Sequence, residues 1–151
     1  MTVRKKRITV CAIALSIPLA AASCMGNSDA DRIGQARGAL VDLVEGEDSG
    51  AIVEHCPDEI SEMRISMESG GWVIEPESME DLEEALEDFR GVFDGQSVEM
   101  TQHQTQIDGN RARENLTFRV TDDGWDRVVP VRMDLERRDG RWVVVGIHSF
   151  D

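Results

Sequence analysis

The sequence predicts an α+β domain in which amphipathic helices cover one face of an antiparallel sheet. Three observations carry this. In the first half, apolar residues recur three and four positions apart, whereas after Gly95 the period becomes two. The period-two segments are separated by Asp-Gly turn signals at Asp108-Gly109, Asp123-Gly124 and Asp139-Gly140, as in a meander. Their apolar residues lie on one face only, so something must cover that face, and the upstream helices are the candidates.

Before the domain comes a leader. Arg4, Lys5, Lys6 and Arg7 form a basic start, Ile8 to Ala22 an apolar run of 15, and small residues lead into Cys24. This is the layout of a secretory signal. The run is short for a membrane span, which needs ~20 residues. The ending Ala21-Ala22-Ser23-Cys24 resembles a bacterial lipobox. That resemblance implies that residues 1–23 are removed and that Cys24 is acylated, leaving the protein lipid-anchored at the extracytoplasmic face of the cell membrane. Two acyl chains anchor a protein stably where one does not. Lipoboxes favour leucine where this chain has Ala21, and cleavage after Ala20-Ala21-Ala22 would give a secreted protein instead. Residues 24–31 are small and polar and read as a flexible tether. Residues 32–151 read as one domain.

Removing residues 1–23 leaves 128 residues with 12 arginines, no lysine and 30 acids, a charge of −18. Such a surface repels nucleic acid, whose phosphates require cationic side chains. It suits a soluble, self-repelling domain. Cysteines are sparse. Cys11 leaves with the leader and Cys24 would be acylated, so Cys56 stands without a disulfide partner. Among Ile52, Val53 and Pro57, with Asp58 and Glu59 close by, it reads as a small buried apolar residue rather than a nucleophile.

The elements follow in order. Ile33, Ala36, Leu40 and Val44 mark a helix over 29–45, broken by Gly46 to Gly50. A helical turn at 51–56 stops at Pro57. Asp58 is placed to cap a further helix carrying Ile60, Met63 and Met67, closed by Gly70-Gly71. Trp72-Val73-Ile74 reads as a short strand. Ser78 with Asp81 then starts a helix whose apolar face is Met79, Leu82, Leu86, Phe89 and Phe93. Its opposite face is acidic, from Glu80 to Asp88. Four strands follow: Val98 to Ile107; a second with Leu116, Phe118 and Val120 inward; a third with Val129, Val131, Met133 and Leu135 inward; and a last from Arg141 to His148.

Helices followed by a sheet ending in the hairpin Arg138-Asp139-Gly140-Arg141-Trp142 resemble the cone-shaped fold of nuclear transport factor two and its cystatin-like, or SnoaL-like, relatives. More narrowly, the chain resembles small actinobacterial lipoproteins carrying such a domain. Ala21 to Cys24, Leu40 to Cys56 and Val129 to Val145 carry the likeness. It implies a curved antiparallel sheet wrapped around the helices. It also implies an interior lined by Phe89, Phe93, Leu116, Phe118, Val131, Met133 and Trp142.

Enzymes of this fold place acids, histidine or tyrosine in that interior. This chain has no tyrosine, and the inward strand residues are apolar. His55, His103 and His148 lack metal-ligand spacing, with His103 expected in solvent and His148 at an ordinary edge position. No catalytic residue, metal or cofactor is therefore assigned. Two functions fit: a lipid-anchored, non-catalytic module that binds or assists a cell-envelope protein, or a carrier holding a small apolar ligand in the cone. An enzyme of the SnoaL-like type is a third, weaker reading.

Overall fold

The computed structural model describes residues 28–150. Helix α1 spans Asp29–Glu45. Ser28 Oγ accepts from the Asp31 amide, and the Asp31 carboxylate accepts from the Ser28 amide, so two otherwise orphaned N–H groups are satisfied. Residues 28–31, expected in the tether, are thus the cap and first turn of α1. Cys24 and the leader lie outside the described residues. The helix ends at Gly46, whose φ of 78° is the left-handed geometry that glycine adopts without a Cβ clash.

Two 3₁₀ turns follow, Ala51–His55 and Ile60–Glu62. Strands β1 (Arg64–Met67) and β2 (Trp72–Ile74) come next, then helix α2 (Met79–Gly91). The long strands are β3 (Ser97–Asp108), β4 (Arg111–Asp122), β5 (Trp125–Arg138) and β6 (Arg141–Ser149). They form one six-stranded sheet in the order β2-β1-β6-β5-β4-β3. The β3–β6 meander is antiparallel as expected, but β1 runs parallel to β6, so the sheet is mixed.

One expected helix is absent. Met63 and Met67 fit a helical spacing with Ile60, yet only the 3₁₀ turn at 60–62 is helical, and β1 takes the rest. Met63, Ile65 and Met67 are all buried, with Arg64 exposed and Ser66 half-buried between them, which is period two. Pairing on both sides, to β2 and β6, satisfies the β1 backbone more fully than an isolated turn of helix could. In α2, Met79 is exposed although expected on the apolar face, whereas Leu82 one turn on is fully buried. Phe93 is buried just beyond the helix.

The core lies between the two helices and one face of the sheet. Ile33, Leu40 and Leu43 of α1 and Leu82, Leu86 and Phe89 of α2 meet Phe118, Val131, Met133 and Ile147 of the strands. Register shifts at Met100/Gln102 in β3 and at Asp134/Leu135 in the β5–β6 pair bend the long strands around this core.

Candidate functional site

The seven residues expected to line the interior are all buried within the core. Phe89 and Phe93 pack with ring centroids 5.4 Å apart, and Phe93 meets Phe118 edge-on at the same distance. Trp142 Nε1 donates to Asp29 Oδ1 at 3.0 Å, pinning the N-terminus of α1 to β6. All seven are at most 3% accessible. Walls of a cavity wide enough for water would keep accessible area, so these side chains fill the cone where they meet.

The polar chemistry lies elsewhere, in two constellations. The first is on the inner face at the β3 side. Glu114 continues the inward row of β4 beyond Leu116 and is fully buried. Its Oε1 accepts from Arg37 Nη1 of α1 at 2.9 Å and faces His103 Nδ1 at 3.2 Å. Its Oε2 accepts from Thr105 Oγ1 at 2.6 Å. Arg37 Nη1 also lies 3.2 Å from His103 Nδ1. A buried carboxylate is tolerable only with such partners, and here each oxygen has at least one. His103 is exposed, as expected, and its ring is also tied into this cluster.

The second is on the outer face, where β1, β6 and β5 adjoin. Ser66 Oγ and His148 Nδ1 are 2.7 Å apart, and His148 Nε2 is 3.1 Å from Asp134 Oδ2. Arg132 Nε donates to the same Asp134 oxygen at 3.1 Å, and Arg113 Nε to the other at 3.4 Å. Burial alone would raise the Asp134 pKa, but the hydrogen bond from His148 and the charges of Arg132 and His148, with a further bond from Arg113, hold it below the usual carboxylate value. His148, expected at an ordinary edge position, is buried, with Phe150 beside its ring. Hydroxyl, imidazole and carboxylate in this order resemble a nucleophilic relay. β1 is paired on both edges and Ser66 lies mid-strand, so the backbone amides of β1 are held in the sheet. The array acts as a polar seam that ties β1 through β6 to β5.

Cys56 is buried, its Sγ donating to the Ile52 carbonyl at 3.4 Å. Burial pushes its thiol up to about 12. Burial also lowers the pKa of the adjacent His55. Neither condition favours a thiolate at neutral pH. Among the described residues, no three His, Cys, Asp or Glu side chains gather where they could hold a metal ion.

Sequence reasoning missed Glu114, Arg37, Ser66 and Asp134. The inward parity of β4 could have flagged Glu114, since Ala112, Glu114, Leu116, Phe118 and Val120 alternate without a break. Nothing local pairs it with Arg37, 77 residues away.

Solved structures resemble this architecture. An NTF2-like protein of unknown function from Shewanella oneidensis superposes with a TM-score of 0.59 at 15% identity, covering 82% of this chain and all of that one. An NTF2-like protein of unknown function from Pseudomonas putida gives 0.61 at 18%, covering 83% and 92%. The fold is NTF2-like. A protein named "putative ketosteroid isomerase" from Shewanella frigidimarina shares the NTF2-like cone at 0.61 and 16%, covering 78% and 93%. No family model and no curated protein matches the sequence. At these identities the likeness is one of fold, and a cone of this kind hosts unrelated functions.

Proposed function

We propose that this chain is a lipid-anchored, extracytoplasmic, non-catalytic module that binds or assists a cell-envelope component, held to the membrane through Cys24. The observation that carries the non-catalytic part is the filled cone. Phe89, Phe93, Leu116, Phe118, Val131, Met133 and Trp142 occupy the interior in which an apolar ligand would sit. The polar groups support it too, because the carboxylates of Glu114 and Asp134 are spent on neighbouring side chains. The carrier reading would require those aromatic contacts to open.

The anchor rests on the leader and on the Ala21-Ala22-Ser23-Cys24 ending. Membrane fractionation of cells expressing wild type and Cys24→Ala tests it. The wild type should sediment with membranes and the variant should lose its acyl mass. Identical behaviour of both as soluble protein contradicts the anchor.

A further inference from the structure

The two ends of the sheet are treated differently. β2 is three residues long, and beyond it Glu75 pairs with Arg64 and Pro76 follows. Short strands, charges and proline are the ordinary means of blunting a sheet edge. β3, at the other end, has none of these over most of its length. It runs for 12 residues, and residues 101–108 are exposed on both faces. From Met100 to Ile107 it holds no carboxylate, guanidinium, lysine or proline, in a chain with 30 acids. Ile107 is an exposed apolar side chain at its end. The register shift at Met100/Gln102 and the turn after Asp108 leave a regular, unguarded stretch from Gln102 to Asp108.

We propose that this stretch pairs with the same stretch of a second copy, antiparallel and centred on Thr105, joining two sheets into one. Charge selects the occupant. An acidic copy is repelled from most of this acidic surface, but across this edge it meets neutral side chains from Gln102 to Ile107, with Asp108 alone charged and set opposite the neutral Gln102. The symmetric register opposes no like charges. Thr105 faces the partner's Thr105, Gln104 the partner's Gln106, His103 the partner's Ile107, and Gln102 the partner's Asp108. On the outer face the Gln104–Gln106 pairs can exchange amide hydrogen bonds. On the inner face His103 covers the partner's exposed Ile107. Opposed threonines and compatible side chains each stabilise such pairing. Because Thr105 and His103 also contact Glu114, the pairing sets the two Glu114 clusters on either side of the dyad.

A contact of this extent belongs with small, weak interfaces, so the purified full chain is studied by sedimentation equilibrium up to about 100 μM. The wild type should dimerise. Gln104→Asp with Gln106→Asp places two acid pairs opposite each other and should weaken the dimer by about tenfold or more. Gln104→Asp with Gln106→Lys turns the same two positions into opposite-charge pairs and should restore it. All these side chains are exposed, so circular dichroism should be unchanged. A wild type that stays monomeric, a dimer indifferent to the double aspartate, or a failure of the Asp/Lys pair to restore it would each overturn the proposal. Pairing of this edge with a strand from a different protein would appear as the monomer outcome.

Discussion

Gly146 makes room for His148. A Cβ built on Gly146 would stand 2.7 Å from His148 Nε2 and 3.5 Å from Asp134 Oδ2, directly against the bond that joins them. Gly146→Ala should therefore push the imidazole off Asp134 and destabilise the fold by about 1–3 kcal/mol, the range for overpacking. Urea denaturation measures this. A change within experimental error would mean that the seam yields without cost.

Asp134 makes the same seam sensitive to acid. Its pKa is held below the ordinary carboxylate value, so its contribution is fully present above that value. The contribution is lost as pH falls through the depressed folded value. Asp134→Asn should cost about 1–2 kcal/mol at pH 7, a charge-assisted bond discounted for partial exposure. The gap to wild type should narrow below about pH 4, where unfolded carboxylates protonate. Melts across pH 3–7 test the sign, and a gap that widens in acid would contradict it.

Glu114 and Arg37 should not be equivalent. Arg37→Ala leaves a fully buried carboxylate facing only Thr105 and His103, and should cost about 3 kcal/mol or more. Glu114→Gln keeps the shape and one acceptor while removing the charge, and should cost less, about 1–2 kcal/mol. The reverse order would show that water reaches Glu114.

Trp142 joins β6 to α1 through Asp29. Trp142→Ala should cost about 3–5 kcal/mol, as for other large buried aromatics. Trp142→Phe should cost less, since it keeps most of the packing and loses the indole hydrogen bond. A loss below about 1 kcal/mol for the alanine variant would place the ring outside the core.

Cys56 should label slowly with a thiol reagent at neutral pH and rapidly after denaturation, because its thiol is pushed up to about 12 and is buried. Labelling of the native protein at the rate of free cysteine would mark an activated thiol beside His55.

What the sequence revealed depended on whether a feature was periodic. α1, α2, β4 and β5 carry apolar periods and are legible from them, while β3 and β6 are bounded mainly by the turn signals beside them. β1 was not, because Ile60, Met63 and Met67 satisfy a helical spacing while Met63, Ile65 and Met67 satisfy a strand, and only pairing with β6 decides. His148 was expected at an edge because it lies near the chain end, but Ser66 of β1, Asp134 of β5 and Phe150 surround its ring, contacts that no local pattern shows. The aromatic interior was legible as a set of residues but not as filled, since packing depends on how the rings meet. The Glu114 cluster draws on α1, β3 and β4 and has no local signature.

Native mass spectrometry of the Cys24→Ala protein purified from its own cells tests the filled cone most directly. With the covalent lipid removed, the spectrum should show the bare polypeptide mass, once per protomer, with no retained small molecule. A lipid or other apolar compound bound at one equivalent, and lost on replacing Met133 by Trp to block the interior, would contradict it.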